Sequence, residues 1–465
     1  MNTNTANSND NPLGNESVFK LMVKFAVPSI IAMIVGALYN IVDQFFIGQA
    51  VGTLGNAATN VAFPLTTLCT ALALLFGIGG ASAFNLYMGK GEVKKAPYFI
   101  GNAFVMLAAS GITISLIVLS FLEPLLGFFG ASESVLPYAK DYVGITAIGF
   151  PFLLLTTGGG HLIRADGSPG MTMFCNLIGA VINTVLDKIF VMDLGWGMEG
   201  AAVATVIGQI VSATIVICYM MGYKTVRIRK KHLMVNLKYI LPVAAIGLAS
   251  FFNQIAMAVV QIVLNKSLEY YGAMSEYGDY IPIACAGIVS KVGMIFFSIV
   301  IGISQGTQPI ESYNYGAGNY RRVKKAYNMA FVAAGVISVL AFIIFQVFPR
   351  QIIYLFGEGD ENYYKFGISY FRIYFFFIFI NFIQPITSTF FTSIGKSYKG
   401  IFLSLTRQII FLLPLIIILP LHMGIDGIVY SGPIADFLAA FVAAVMCLVE
   451  FRHMDKLEKE KSKHL

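Results

Sequence analysis

Apolar runs long enough to cross a bilayer recur along this chain, separated by short polar stretches that hold most of its charge. A membrane-spanning helix needs roughly 20 mainly apolar residues. Runs of that kind fall at 20–47, 53–87, 97–121, 135–157, 170–192 and 198–221, then at 238–265, 280–303, 326–348, 366–390, 400–420 and 426–450. The second six repeat the first at an offset of about 227 residues. Gly197-Met198-Glu199-Gly200 returns as Gly424-Ile425-Asp426-Gly427, and Met88-Gly89-Lys90-Gly91 returns as Tyr315-Gly316-Ala317-Gly318. Phe128-Phe129-Gly130 returns as Leu355-Phe356-Gly357, and Gly167-Ser168 as Gly395-Lys396-Ser397. One such match is a common helix turn; four in the same order mark a duplication.

The predicted fold class is therefore an all-α membrane protein, with twelve transmembrane helices in two pseudo-symmetric six-helix lobes. Residues 1–17 are expected to form a disordered cytoplasmic leader, 18–222 the first lobe and 223–237 a cytoplasmic linker. Residues 238–450 form the second lobe and 451–465 a basic cytoplasmic tail. Duplicated membrane halves usually rock against each other around a central site, which is the geometry of a transporter.

Composition agrees with this class: 57% of the residues are hydrophobic, 12% are charged, and the mean hydropathy is +0.75. Charge position then orients the chain. With the N-terminus in the cytoplasm, 23 of the 31 Lys and Arg fall on the inner side, 5 on the outer side and 3 within segments. Lys20, Lys24, Lys90, Lys94 and Lys95 lie inside, as do the run Lys224 to Lys231, Arg321 to Lys325 and the tail from Arg452. Outer loops are acidic, with Glu269, Glu276 and Asp279 in one and Glu358, Asp360 and Glu361 in another. This is the positive-inside pattern with both termini cytoplasmic, in an inner, cytoplasmic membrane. The leader lacks the basic n-region of a signal peptide. The net charge of +7 is explained by inner loops facing anionic lipid headgroups, so membrane lipid is an expected partner and nucleic acid is not. A monomer is expected.

Several function classes lack their residues. Cys69, Cys175, Cys218, Cys285 and Cys447 all lie in apolar runs without CxxC spacing, and read as packing residues. Gly395-Lys396-Ser397 resembles the end of a phosphate-binding loop, but Phe390 stands where that motif needs glycine. The five histidines are scattered through loops and the tail. No cofactor, metal centre or enzymatic constellation is expected, and energy must come from an ion gradient or a separate partner.

Six charged residues fall well inside the segments: Asp43, Asp187, Asp436, Lys291, Arg372 and Arg407. A charge at membrane depth costs at least about 2.5–3.5 kcal/mol on insertion scales, so each is a candidate for function. Asp43 lies about 28 Å along helix 1 and Asp187 about 25 Å along helix 5, at 1.5 Å per residue. Asn183 is one turn below Asp187 on the same face. Asn40 precedes Asp43 by three residues, Gln44 follows it, and Thr205 enters helix 6 to a similar depth. Two carboxylates, amides and a hydroxyl at one depth form a hydrated cation site. Such hard oxygens suit Na⁺, and paired, desolvated carboxylates hold a proton readily because low dielectric and like charge favour the neutral form. Either ion fits. The competing reading places both acids merely near the outer interface.

Asp436 corresponds to Gln209 of the first half, with Lys291, Arg372 and Arg407 available to neutralise it. Pro28, Pro64, Pro151, Pro309, Pro385 and Pro414 lie in or beside apolar runs, where a missing N–H permits a kink. Pro28 sits below Asp43 on one helix, a candidate hinge or a static kink. Gln44, Gln209, Met33 and Met257 are candidates for the substrate cavity, because methionine and aromatic surfaces suit flat hydrophobic cations. The aromatic block from Tyr370 to Phe382 either shares that role or faces lipid.

This pattern resembles the multidrug and toxic compound extrusion (MATE) family, nearest its MepA-like branch, over nearly the whole chain. The most specific stretch is Gln305-Gly306-Thr307-Gln308-Pro309-Ile310 with Tyr313-Asn314-Tyr315-Gly316-Ala317-Gly318, placed after helix 8. Val27-Pro28-Ser29 with Asp43, Arg164-Ala165-Asp166-Gly167, Asn183 to Asp187 and Gly197 to Thr205 are similar to the family as well. The resemblance implies two lobes in a V-shaped inward- or outward-open arrangement, and efflux of organic cations in exchange for Na⁺ or H⁺. A first-lobe ion site of the family matches Asp43, Asn183, Asp187 and Thr205. A second-lobe site built on acids in helices 7 and 10 finds only Asn253, Gln254, Gln261 and Arg372 here. The nearest alternative is a flippase for lipid-linked precursors, which would be expected to carry extra helices and a cationic cavity. A channel and a membrane-embedded enzyme are more distant readings.

Overall fold

The structure is a computed structural model, and it describes residues 11–278, 280–356 and 359–463. The first ten leader residues, Asp279, Gly357, Glu358, His464 and Leu465 lie outside the described residues. Among the described residues, twelve helices long and apolar enough to span a membrane account for the fold. In the first half they are α1 (Val18–Val51), α2 (Thr53–Gly89), α3 (Ala96–Ser120), α4 (Leu136–Ala165), α5 (Pro169–Asp193) and α6 (Gly197–Met221). In the second they are α7 (Leu237–Ala273), α8 (Tyr280–Gly316), α9 (Tyr320–Val347), α10 (Glu361–Ser393), α11 (Ser397–Met423) and α12 (Ile425–Lys461).

Local chemistry sets the joints. Ser17 caps α1 by accepting from the Lys20 amide at 3.2 Å. Gly52 reverses the chain into α2 at φ 75, a conformation that side-chain-bearing residues rarely adopt. Some spans outrun their apolar runs. α8 continues as one helix through Pro309 to Gly316, rather than ending near 303 as the hydropathy predicts. Its extra turns are polar but buried: Gln305, Thr307, Gln308, Glu311, Ser312 and Asn314 are at most 8% exposed. Protein, not lipid, covers them.

The halves meet through α2 with α7, α1 with α8, and α2 with α8. All of these tight contacts lie at the end that carries Lys20, Lys90, Lys94, Arg321 and the linker, called the basic end below. Without a hydrophobic drive between helices in lipid, close backbone approach through small residues takes over. A Cβ on Gly79 would stand 2.0 Å from the Val243 carbonyl oxygen, and one on Gly247 1.8 Å from that of Leu75. On the other side, Gly302 and Gly306 press on the Ile30 and Ala26 backbones. At the α2–α8 crossing, a Cβ on Gly89 would lie 2.0 Å from the Tyr313 oxygen, and one on Gly316 2.2 Å from the Leu86 oxygen. Leu86 and Tyr313 are themselves equivalent in the repeat, so the crossing follows a pseudo-two-fold axis. Gln308 Nε2 donates to Ser82 Oγ across it at 2.6 Å.

The stretch between the halves is pinned to the first one. Asp166, just beyond α4, accepts from the backbone amides of Lys224 and Thr225, both at 2.7 Å, and from the Tyr219 hydroxyl. Asn102 holds the His232 carbonyl and the Asn236 amide. Burial pushes the Asp166 carboxyl above the usual range, and these donors oppose that push.

Candidate functional site: a buried carboxylate pair in the first lobe

Four of the residues singled out by sequence come together where α1, α5 and α6 meet. The α5–α6 contact is close because both helices present glycine: a Cβ on Gly208 would stand 2.8 Å from the Gly179 oxygen. That approach brings Asn183 to Thr205, and Asn183 Nδ2 donates to Thr205 Oγ1 at 3.2 Å. Asp187 stands one turn on from Asn183, on the same face. There α5 leaves α-helical winding for a π-helical turn, Lys188–Asp193; such turns recur at functional sites. Asp43 projects from α1 to meet Asp187, and their carboxyls interact as a pair.

The cluster is dry. Asp43 is 7%, Asn183 2%, Asp187 0% and Thr205 6% exposed. Its chemistry is one-sided. Asp43 Oδ1, both carboxyl oxygens of Asp187 and Asn183 Oδ1 are buried without a hydrogen-bond partner. Buried acceptors are normally satisfied, so four orphans in one place call for a cation or proton. No Lys or Arg supplies that charge among the described ion pairs. The donor set, carboxylate, amide and hydroxyl oxygen, fits Na⁺, and the facing carboxyls fit a shared proton.

Two tyrosines missing from the sequence reading border the pair. Tyr39 lies within electrostatic reach of both carboxyls and beside Thr205, and Tyr142 of α4 faces the same group. Tyr39 is four residues before Asp43, a spacing the sequence displays; nothing local to Tyr142 points to Asp43.

The remaining candidates stand apart. Asn40 is exposed, and its side chain turns back to the Gly36 carbonyl of its own helix at 2.7 Å, away from the carboxylates. Gln44 is exposed, Met33 is half-buried and Met257 is 46% exposed. Gln209 is half-buried, with Oε1 buried and unpartnered. Pro28 lies inside an unbroken α1, between the two residues that touch Gly302 and Gly306.

The second lobe carries a buried carboxylate of its own, at the position equivalent to Gln209, and neutralises it. Asp436 of α12 receives Arg407 Nε at 2.6 Å and Asn381 Nδ2 at 2.8 Å. Arg407 sits in a second π-helical turn, Thr406–Leu412, and Asn381 at a break in α10. Of the three cations available to neutralise Asp436, only Arg407 does so. Arg372 donates instead to the Gln346 carbonyl at 3.2 Å, and Lys291 is exposed. Two further buried acids are not singled out by hydropathy, Glu311 lying beyond its apolar run and Glu450 at the very end of one: Glu311 is beside Ser393, and Glu450 is paired with Lys396 and Lys399. The two lobes therefore share an architecture and differ in charge, one with a neutralised carboxylate and one without.

Comparison with known proteins follows the same lines. The MatE family model matches residues 28–189 and 249–418, one block in each half. The multidrug export protein MepA of Staphylococcus haemolyticus (strain JCSC1435) is 25% identical over 428 residues, covering 92% of each chain. MepA of Staphylococcus aureus (strain MSSA476) is 24% identical over 430 residues, covering 92% of this chain and 93% of its own. Among solved structures, an outward-facing multidrug resistance MATE family transporter of the MOP superfamily superposes with a TM-score of 0.88 at 23% identity. That match covers 96% of this chain and 98% of the other. A MOP superfamily transporter from Pyrococcus furiosus gives 0.88 at 22% identity, covering 97% and 99%. With the fold, the duplication and the family model in agreement, this chain belongs to the MatE family and is a multi-pass membrane transporter of the MATE type, similar to MepA.

Proposed function

We propose that this transporter exports organic cations, drugs and dyes among them, by alternating access in exchange for H⁺ or Na⁺ bound at Asp43 and Asp187. Asn183 and Thr205 complete the ion site. One observation carries the reading: four buried acceptor oxygens without donors in the first lobe, whereas the buried Asp436 of the second lobe is neutralised by Arg407. The MepA relatives, named for multidrug export, support the substrate class.

With the basic end in the cytoplasm and both termini there, the tight contacts between the halves close the protein on its inner side. Ion entry from outside supplies positive charge to the Asp43–Asp187 pair and competes with a bound cation, which leaves. Return to the inward-open form delivers the ion and reloads substrate. The exchange requires ion and substrate to prefer different conformations. Pro28, beside the contacts that must part, serves as hinge in α1, and Met33, Gln44, Gln209 and Met257 contribute to the cavity wall. Membrane lipid surrounds a single copy.

The test is ethidium efflux from proteoliposomes under separate Na⁺ and H⁺ gradients, with Asp43→Asn and Asp187→Asn beside the wild type. Wild-type extrusion under one gradient, lost in both folded variants, supports the site and names the ion. Variants that match the wild type remove the acids from coupling. A wild type that moves no cation under either gradient sinks the efflux reading and favours a lipid-linked substrate.

A further inference from the structure

The stretch just before α1 crosses from one lobe to the other. Residues 11–17, part of the stretch expected to be disordered, are folded: Asn11 caps a short helix, Pro12–Asn15, by accepting from the Leu13 amide at 3.0 Å. Leu13 is only 4% exposed, and the short helix packs on α8 of the other half. Its partners belong to the second lobe. The Gly14 backbone lies on the Tyr313 ring, where an added Cβ would meet Cε1 at 3.0 Å. Asn314 Nδ2 donates to the Leu13 carbonyl at 2.9 Å. Arg322 Nη2 donates to the same carbonyl at 3.0 Å and to the Glu16 carbonyl at 2.7 Å, while its Nε is held by Asn314 Oδ1 at 2.9 Å.

The two ends of this arrangement cannot move together. Glu16 is separated from the first residue of α1 only by the capping Ser17, so its carbonyl travels with α1. Asn314 ends the buried part of α8, and Arg322 lies in the first turn of α9. Parting the lobes at the basic end carries α1 away from α8 and α9. A guanidinium bond to a main-chain carbonyl survives no such movement, because its geometry is lost beyond about 3.5 Å.

We propose that residues 11–17 form a latch across the basic end, seated on Tyr313, Asn314 and Arg322, which holds that end shut and must release in each transport cycle. This gives a role to Tyr313-Asn314 of the second-half motif, and to Arg322 beyond it, that ion binding leaves unexplained. The proposal rests on the alternating-access reading for the timing of release. Its seating is a property of the closed form alone.

Lys94 and Lys325, exposed on the two sides of the basic end, are the labelling positions for the test. Both are changed to cysteine and spin-labelled in full-length protein whose five native cysteines are replaced. Electron–electron distance measurement in lipid nanodiscs then reports short (closed) and long (open) populations. Arg322→Gln breaks the latch from the second lobe, and Leu13→Ser unseats it without touching that lobe's own packing. Loss of the Arg322 bonds in one variant, and of the buried Leu13 side chain in the other, is expected to raise the open-to-closed ratio by about ten-fold in each. Arg322→Gln/Leu13→Ser combined is expected to go no further than either alone, the signature of one shared interaction. Single variants with the wild-type distribution overturn the latch, and so do effects that multiply. A wild type with no long-distance population under any ion or substrate condition overturns alternating access itself, and the latch with it.

Discussion

The α2–α8 crossing makes the sharpest mechanical prediction. Substituting Gly89 or Gly316 by alanine puts a methyl group 2.0 or 2.2 Å from a main-chain oxygen of the facing helix. Ordinary contact needs more than 3 Å, and a main-chain oxygen in a helix cannot swing aside as a side-chain tip would. The helices must part by about 1 Å, and overpacking of this kind costs about 1–3 kcal/mol. That cost falls only on the form closed at the basic end. The open-to-closed ratio should therefore rise roughly 5- to 150-fold. Ser82, 0% exposed and bonded to Gln308 across the interface, reports the change: as Ser82→Cys in a cysteine-free background, its labelling by a maleimide should accelerate in proportion. Gly287→Ala is the control on the same helix, since a Cβ there meets nothing within 4 Å. Unchanged labelling in folded Gly89→Ala and Gly316→Ala proteins would refute the claim that this crossing is the closed gate.

Other outcomes follow from the buried polar groups. Arg407→Met alone strands Asp436 and is expected to destabilise the protein by about 3–5 kcal/mol, whereas adding Asp436→Leu should recover most of the loss; melting in detergent decides. Asp166→Ala frees the Lys224 and Thr225 amides, so trypsin should cut the exposed Lys230–Lys231 step at least about ten-fold faster. Equal rates would show that the linker is held by other contacts. Tyr39→Phe, one turn from Asp43, should raise the ion concentration for half-maximal efflux by about ten-fold with the maximal rate retained. A rate that falls with no change in ion dependence would assign Tyr39 to packing instead.

What the sequence displays depends on which solvent covers a residue. Each span announces itself because lipid demands a continuous apolar run, and the repeat of Met88-Gly89 as Tyr315-Gly316 exposes the two-lobe plan. The end of α8 is hidden because Gln305 to Asn314 is covered by protein from both lobes, so hydropathy stops where the helix does not; Glu311 is lost with it. The grouping of Asp43 with Asn183, Asp187 and Thr205 is readable from depth along helices of known direction. Depth alone also admits Asn40, whose side chain bonds to Gly36 instead, because a residue's azimuth on α1 is set by packing. For the same reason the sequence offers three cations to Asp436, and only the fold selects Arg407. Tyr142 joins from α4 through tertiary placement alone.

The central claim is that the oxygens of Asp43 and Asp187 take up the coupling ion, and the chain carries its own reporter. Its single tryptophan, Trp196, stacks on Phe190 at 5.0 Å, within the π-helical turn that begins directly after Asp187. The measurement is Trp196 fluorescence of the purified protein, titrated with Na⁺ at constant pH and with H⁺ in the absence of Na⁺. The account predicts a saturable change with the coupling ion that disappears in Asp43→Asn and in Asp187→Asn. A titration that persists unchanged in both variants, or a wild type indifferent to either ion, would contradict it.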